Sequence, residues 1–234
     1  MVNIFMDNYI LINNDCKISI HDIPDKSVDL IITDPPYEFE KKHHSRGCFG
    51  RNNRKYHEEI DDMRDGISEE LLNEFLRICK KPNIYIFCSK NQLLMFLNFC
   101  EKNDLNFEIL TWHKTNPIPT CNNKYLSDTE YIFFFRGKGV KIYGNYNTKK
   151  KYFLTNVNKK DKKRYCIPTC KPLEIINNLV ENSSLEGDII FDPFMGSGSV
   201  AVSAINNKRK FIGIELDRDI YNIAKNRIIE ECNE

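Results

Sequence analysis

No stretch of this chain is long and apolar enough to span a membrane. Its opening, MVNIFMDNYILINNDC, lacks the basic segment, apolar core and small-residue cleavage site of a secretory leader, so a cytoplasmic location is expected. No C-x-x-C pair occurs among the nine cysteines, an odd and scattered set, which argues against a disulfide framework and for reduced thiols. Cys166 and Cys170, the closest pair, have three residues between them and no histidine nearby, so no metal site is expected. Repeats and Pro/Ser linkers are also missing, and 234 residues leave room for one α/β domain with a modest insertion rather than for two domains. An excess of either charge is absent too, with 34 Lys and Arg against 33 Asp and Glu for a net charge of +1. That balance excludes a uniformly basic nucleic-acid binder, but it does not exclude a basic face.

The charges that are present are segregated by sign. One basic stretch runs over 41–57 and includes Lys42, Arg46, Arg51 and Arg54; a second runs over 138–164 and includes Lys150, Lys151 and Lys163. Acidic residues gather at 58–65 and at 230–234. Short apolar runs rich in β-branched or aromatic residues predict buried strands over 28–33, 83–88, 107–112, 130–135, 188–192 and 210–215. Between them, i, i+3, i+4 apolar spacing predicts helices over 68–80, with Ser68 as N-cap, and over 91–103, 172–183, 197–206 and 218–231. Strands and helices alternate, as in an α/β sheet. The stretch 137–168 is polar, Lys/Asn-rich and without clean periodicity, and is expected to be an inserted recognition region within a single domain over 1–234.

Two motifs carry chemistry. Thr33–Asp34–Pro35–Pro36–Tyr37 closes the first predicted strand. The two prolines fix an extended path and remove two amide donors, which presents acceptors outward. The Asp34 carboxylate and the Pro35 carbonyl suit the two hydrogens of an exocyclic base amine. A fixed carboxylate also stabilises the positive charge that grows on that nitrogen during methylation. Tyr37 offers a ring face to a base rotated out of the duplex. The second motif, Phe191–Asp192–Pro193–Phe194–Met195–Gly196–Ser197–Gly198–Ser199, turns from a strand into a helix, and its glycines let backbone approach a ligand closely. It is not the dinucleotide G-x-G-x-x-G. Glu215 ends the next strand, where nucleotide-binding sheets hold a ribose diol.

Both motifs resemble those of the DNA amino-methyltransferases, and their order, D-P-P-Y first and F-x-G-x-G last, is that of the β group. The resemblance covers nearly the whole chain. It implies a three-layer α-β-α, Rossmann-like fold of the S-adenosylmethionine-dependent methyltransferases, circularly permuted, with a mixed seven-stranded sheet. It further implies that Asp15 meets the cofactor adenine, that Phe191, Asp192, Pro193, Phe194, Gly196, Ser197 and Gly198 wrap its methionine part, and that Glu215 holds its ribose. Pro168–Thr169–Cys170–Lys171–Pro172 resembles H-P-T-x-K-P, in which Thr169 and Lys171 hold the cofactor carboxylate; Ile167 replaces the His. Trp112–His113–Lys114–Thr115–Asn116–Pro117 is similar to the family's segment near the target base and adds Lys114 as a DNA contact.

The expected activity is site-specific methylation of adenine N6 in double-stranded DNA by base flipping, with S-adenosylmethionine as donor. Cytosine N4 stays open as the target, although that group more often carries Ser in place of Asp34. An inactive DNA-binding relative, and methylation of RNA or protein glutamine at a similar site, stay open as well. The resemblance leaves open a cognate restriction endonuclease as companion and a monomer or homodimer.

Overall fold

The computed structural model describes residues 8–36, 67–117, 119, 123, 125–165, 167 and 170–232. Its described strands are β1 (Tyr9–Asn13), β2 (Leu30–Thr33), β3 (Asn83–Cys88), β4 (Asn106–Lys114), β5 (Thr129–Arg136), β6 (Tyr152–Thr155), β7 (Ile189–Asp192) and β8 (Lys210–Glu215). The described helices are α1 (Cys16–Ser19), α2 (Glu69–Ile78), α3 (Leu93–Lys102), α4 (Lys159–Tyr165), α5 (Leu173–Ser183), α6 (Ser199–Asn206) and α7 (Arg218–Cys232).

The strands form one sheet in the order β1-β8-β7-β2-β3-β5-β4-β6. β5 pairs antiparallel with both β3 and β4, while the other pairings are parallel. Seven of the eight described strands therefore end at one edge, and β5 alone begins there. The sheet has one strand more than the seven expected. The Tyr152–Thr155 segment of the stretch expected to be a recognition insertion hydrogen-bonds onto β4 as the outermost strand. Four residues are too few for their alternation to stand out in a polar sequence.

Successive side chains on a strand point to opposite faces, and both faces here are apolar, as a mostly parallel sheet requires. Ile31, Ile84, Ile86, Phe133 and Phe135 pack on one side against Leu72, Phe75, Phe96 and Phe99 of α2 and α3. Leu30, Ile32, Tyr85, Phe87, Ile132 and Phe134 pack on the other against α5, α6 and α7 through Ile176, Leu179, Val202 and Ile228. The result is three layers, α-β-α. Ser68 caps α2 by accepting from the Leu71 amide at 3.3 Å, with Glu69 and Glu70 in the first turn, where the helix dipole favours acids.

Candidate active site

β2 lies between β7, which enters late in the chain, and β3, which enters early. Such a switch in connection leaves a crevice beyond the strand ends. Asp34 follows the last residue of β2, Asp192 ends β7 and Glu215 ends β8, so three carboxylates stand side by side along this edge. Buried Pro35 and half-buried Pro36 carry the chain onward from Asp34.

Asp192 is buried. Its Oδ1 accepts from the Thr33 hydroxyl at 2.8 Å and from the Phe194 amide at 3.1 Å, which ties β7 to β2 and starts the glycine turn. Burial pushes its carboxyl up to about 7, with repulsion from Asp34 and Glu215 adding to the rise. Burial likewise raises the Glu215 carboxyl above the usual range, against the backbone amides that it accepts. These are Gly196 N at 2.9 Å and Asp217 N at 3.0 Å. A carboxylate has about four acceptor directions, so Glu215 keeps capacity for a ribose diol.

Gly196 and Gly198 adopt φ of +53° and +76°. A Cβ at Gly198 would come within 3.3 Å of the Ala224 Cβ. The turn therefore needs glycine both for its backbone angles and for its close seat on α7. Asp15 caps α1 just beyond β1, accepting from Lys17 N at 2.8 Å, and the Asn14 amide donates to the Glu215 carbonyl at 3.2 Å. The adjoining ends of β1, β8 and β7 thus gather Asp15, Glu215 and the 192–198 turn, a set whose acids and close-approach backbone fit an adenosine-bearing donor.

On the other side of Asp34 stands an ion cluster. The Lys171 ammonium lies 2.5 Å from Asp34 Oδ2 and 3.4 Å from Glu130 Oε2, and Glu130 Oε1 is 2.7 Å from the Lys114 ammonium. Burial opposes the charge on Lys171, but Asp34 and Glu130 outweigh it and raise its pKa. Burial also opposes the charge on Glu130, and Lys171 and Lys114 reverse that and lower its pKa. Both shifts favour the charged forms of Lys171 and Glu130. Lys162 of α4 faces the same group; burial, then Lys171, lowers its pKa.

Arg227 of α7 is fully buried beneath the glycine turn. It donates to the Ser199 hydroxyl at 3.0 Å and the Ser197 carbonyl at 3.2 Å. It also lies 3.5 Å from Asp161 and 3.4 Å from Glu231, with its guanidinium carbon 4.6 Å from the centre of the Tyr165 ring. The turn and α4 are bolted to the same side chain.

Of the site residues expected from sequence, the structure brings together Asp34, Pro35, Pro36, Asp15, Asp192, Pro193, Phe194, Gly196, Ser197, Gly198, Glu215 and Lys171 along this edge, with Phe191 in the core beneath it. Tyr37, Lys42, Arg46, Arg51, Arg54 and Thr169 lie outside the described residues. Lys114 is mostly buried and paired with Glu130 instead of standing in solvent. Lys163 is exposed on α4. Lys150 and Lys151 precede β6, at the opposite end of that strand from the site, and Lys151 pairs with Glu108. An open groove of about 830 Å³ lies instead between the end of β6, α4 and the start of α5, lined by Asn116, Asn156, Asn158, Lys159 and Lys160. Sequence reasoning did not find Glu130 or Arg227, and took Lys162 only as one charge of the basic stretch over 138–164. The one available signal was a single acid at the head of the aromatic run Glu130–Phe135.

The profile of the DNA methylase family (N6/N4 type) matches residues 28–226. The Type II methyltransferase M2.LlaDCHI of Lactococcus lactis subsp. cremoris is 29% identical over 243 residues, spanning 95% of this chain and 90% of its own length. M.HinfI, a Type II methyltransferase of Haemophilus influenzae, is 25% identical over 259 residues, spanning 98% of this chain and 70% of its own. Among solved structures, the M1.HpyAVI-SAM complex superposes with a TM-score of 0.71 at 25% identity, covering 94% of this chain and 99% of that one. The cytosine-N4-specific PvuII DNA methyltransferase shares the fold, with a TM-score of 0.72 at 14% identity, covering 94% of this chain and 86% of that one.

Proposed function

The chain belongs to the N6/N4 DNA methylase family, and from that premise we propose that it methylates adenine N6 at specific sites in double-stranded DNA, with S-adenosylmethionine as donor. The observation that carries this reading is the partly exposed Asp34 carboxylate at the tip of β2, one strand from the glycine turn. When bound, the donor supplies an electrophilic methyl group from its sulfonium. Asp15, Glu215 and the 192–198 turn hold it beside Asp34.

The base enters the crevice flipped out of the duplex, because its amine is unreachable while stacked and paired. Asp34 and the Pro35 carbonyl accept the two amine hydrogens and orient the nitrogen lone pair toward the methyl group. The nitrogen gains one methyl and releases one proton, and the carboxylate stabilises the cation between those events. Asp34 supports adenine, since cytosine-N4 enzymes more often carry Ser there. The groove beside α4, with Asn116, Asn156 and Asn158 among its walls, supports a DNA face on this side. A cognate restriction endonuclease belongs to the same proposal, because the relatives are Type II methyltransferases.

Mass spectrometry of nucleosides from DNA treated with the protein and labelled donor tests the reading. N6-methyladenine is expected. N4-methylcytosine in its place would reverse the base assignment, and DNA binding without incorporation would make the chain an inactive relative.

A further inference from the structure

An ammonium beside Asp34 is at odds with the chemistry proposed for that carboxylate. Methyl transfer builds positive charge on the target nitrogen, and a lysine held 2.5 Å from the stabilising oxygen repels that charge and competes for that oxygen. The conflict eases when a second carboxylate shares Lys171. Glu130 Oε2 is 3.4 Å from the same ammonium. Closing that gap to the roughly 2.8 Å of a charge-assisted bond takes a shift of about 0.6 Å at the end of a flexible four-carbon stem, which lengthens the Asp34 contact from 2.5 Å to about 3.1 Å at most and so weakens it. The Phe87 ring, 5.1 Å from the ammonium, lines the path with a face that tolerates a cation. Lys114 holds the other Glu130 oxygen at 2.7 Å and so keeps the receiving carboxylate in place.

We propose that Glu130 is a positioning residue for methyl transfer: it draws the Lys171 ammonium toward itself as the target amine arrives, and so loosens the hold of Lys171 on the Asp34 carboxylate that receives the base. The inference rests on the reading of Asp34 given above. Lys171 then acts as a counter-ion that holds Asp34 in place until substrate competes for the carboxylate. The lowered pKa of Glu130 agrees with a permanently charged acceptor. Among the described residues, the titratable groups around Lys171 are Asp34 after β2, with Asp192 and Cys88 behind it, Glu130 on β5, Lys114 on β4, Lys162 on α4, and the adjacent Cys170.

The test is steady-state kinetics of the full chain on duplex DNA, paired with separate measurements of donor and DNA affinity. Glu130→Gln is expected to lower kcat at least about tenfold at neutral pH while both affinities stay within about threefold. The loss should shrink as pH approaches the ordinary lysine pKa of about 10.4, because Lys171, now with one carboxylate instead of two, sheds its proton earlier and lets go of Asp34. Glu130→Asp keeps the charge and should fall between the two. An unchanged kcat, a parallel loss of donor affinity, or no alkaline recovery overturns the proposal. If Glu130→Gln does not fold, Glu130→Asp decides: its kcat must fall with donor affinity kept. A wild-type chain that methylates no base overturns both this inference and the functional reading. An active wild type matched by Glu130→Gln overturns this inference alone.

Discussion

Asp192 is buried between two other carboxylates, and its position has a measurable consequence. Its folded pKa is about 7, whereas an unfolded aspartate titrates near 3.9. Between those values the folded chain keeps a proton that the unfolded chain has released, so this residue's contribution to stability falls as pH rises from about 4 to about 7. Asp192→Asn retains an oxygen for the Thr33 hydroxyl and the Phe194 amide but carries no charge. It is expected to flatten that dependence and to raise stability at pH 8 by about 1.4 kcal/mol for each pK unit of the shift removed. Urea unfolding of both proteins at pH 5 and pH 8 checks this, and an equal difference at both pH values would refute the assignment. Asp34, Asp192 and Glu215 were legible in the sequence because each closes an apolar run. Glu130 was not, because an acid at the start of a strand reads as a boundary residue. Only the antiparallel direction of β5 brings a strand's beginning to the edge where the others end.

The glycine turn and its seat on α7 act as one unit. Gly198→Ala must place a side chain at φ +76° within 3.3 Å of Ala224. A loss of about 1–2 kcal/mol in stability is expected, together with weaker donor binding, measured by urea titration and calorimetry. Arg227→Met should cost about 3 kcal/mol, because it strips Asp161 and Glu231 of a shared partner and leaves the Ser197 carbonyl without its donor. A change below about 0.5 kcal/mol, the usual size for a site without such partners, would mean that Arg227 only fills space. Most elements were readable from periodicity: β3 and β8 match the expected runs residue for residue, and α5 starts one residue later than expected. Arg227 escaped because a charge next to the apolar stripe of Ala224 and Ile228 reads as solvated. Its partners come from α4, the glycine turn and its own helix, which only the folded chain brings together. β1 and β6 lie at the two outer positions of the sheet, where strands are half-buried and carry a weaker apolar signal.

Taken whole, the molecule offers basic residues at opposite ends of β6. Lys159 and Lys160 line the groove beside the site, whereas Lys150 and Lys151 precede the strand and so lie about 13 Å farther away at roughly 3.3 Å per residue. Charge removal at Lys159 and Lys160 is therefore expected to reduce the salt slope of DNA binding by about 0.9 for each phosphate no longer neutralised, and by more than the same change at Lys150 and Lys151. Fluorescence anisotropy over a salt series ranks the two pairs. The segregated charge was visible in sequence, but which end of the basic stretch stands on the Asp34 edge of the sheet was set by the pairing of β6 with β4. The reading of the molecule as a methylase turns on Asp34 meeting the base and not the donor, and the sharpest check is Asp34→Ala, with turnover and donor dissociation constant measured on the same preparation. Turnover should fall by at least about 10²–10³-fold while the dissociation constant stays within about twofold; equal losses in both would place Asp34 in donor binding and contradict the mechanism.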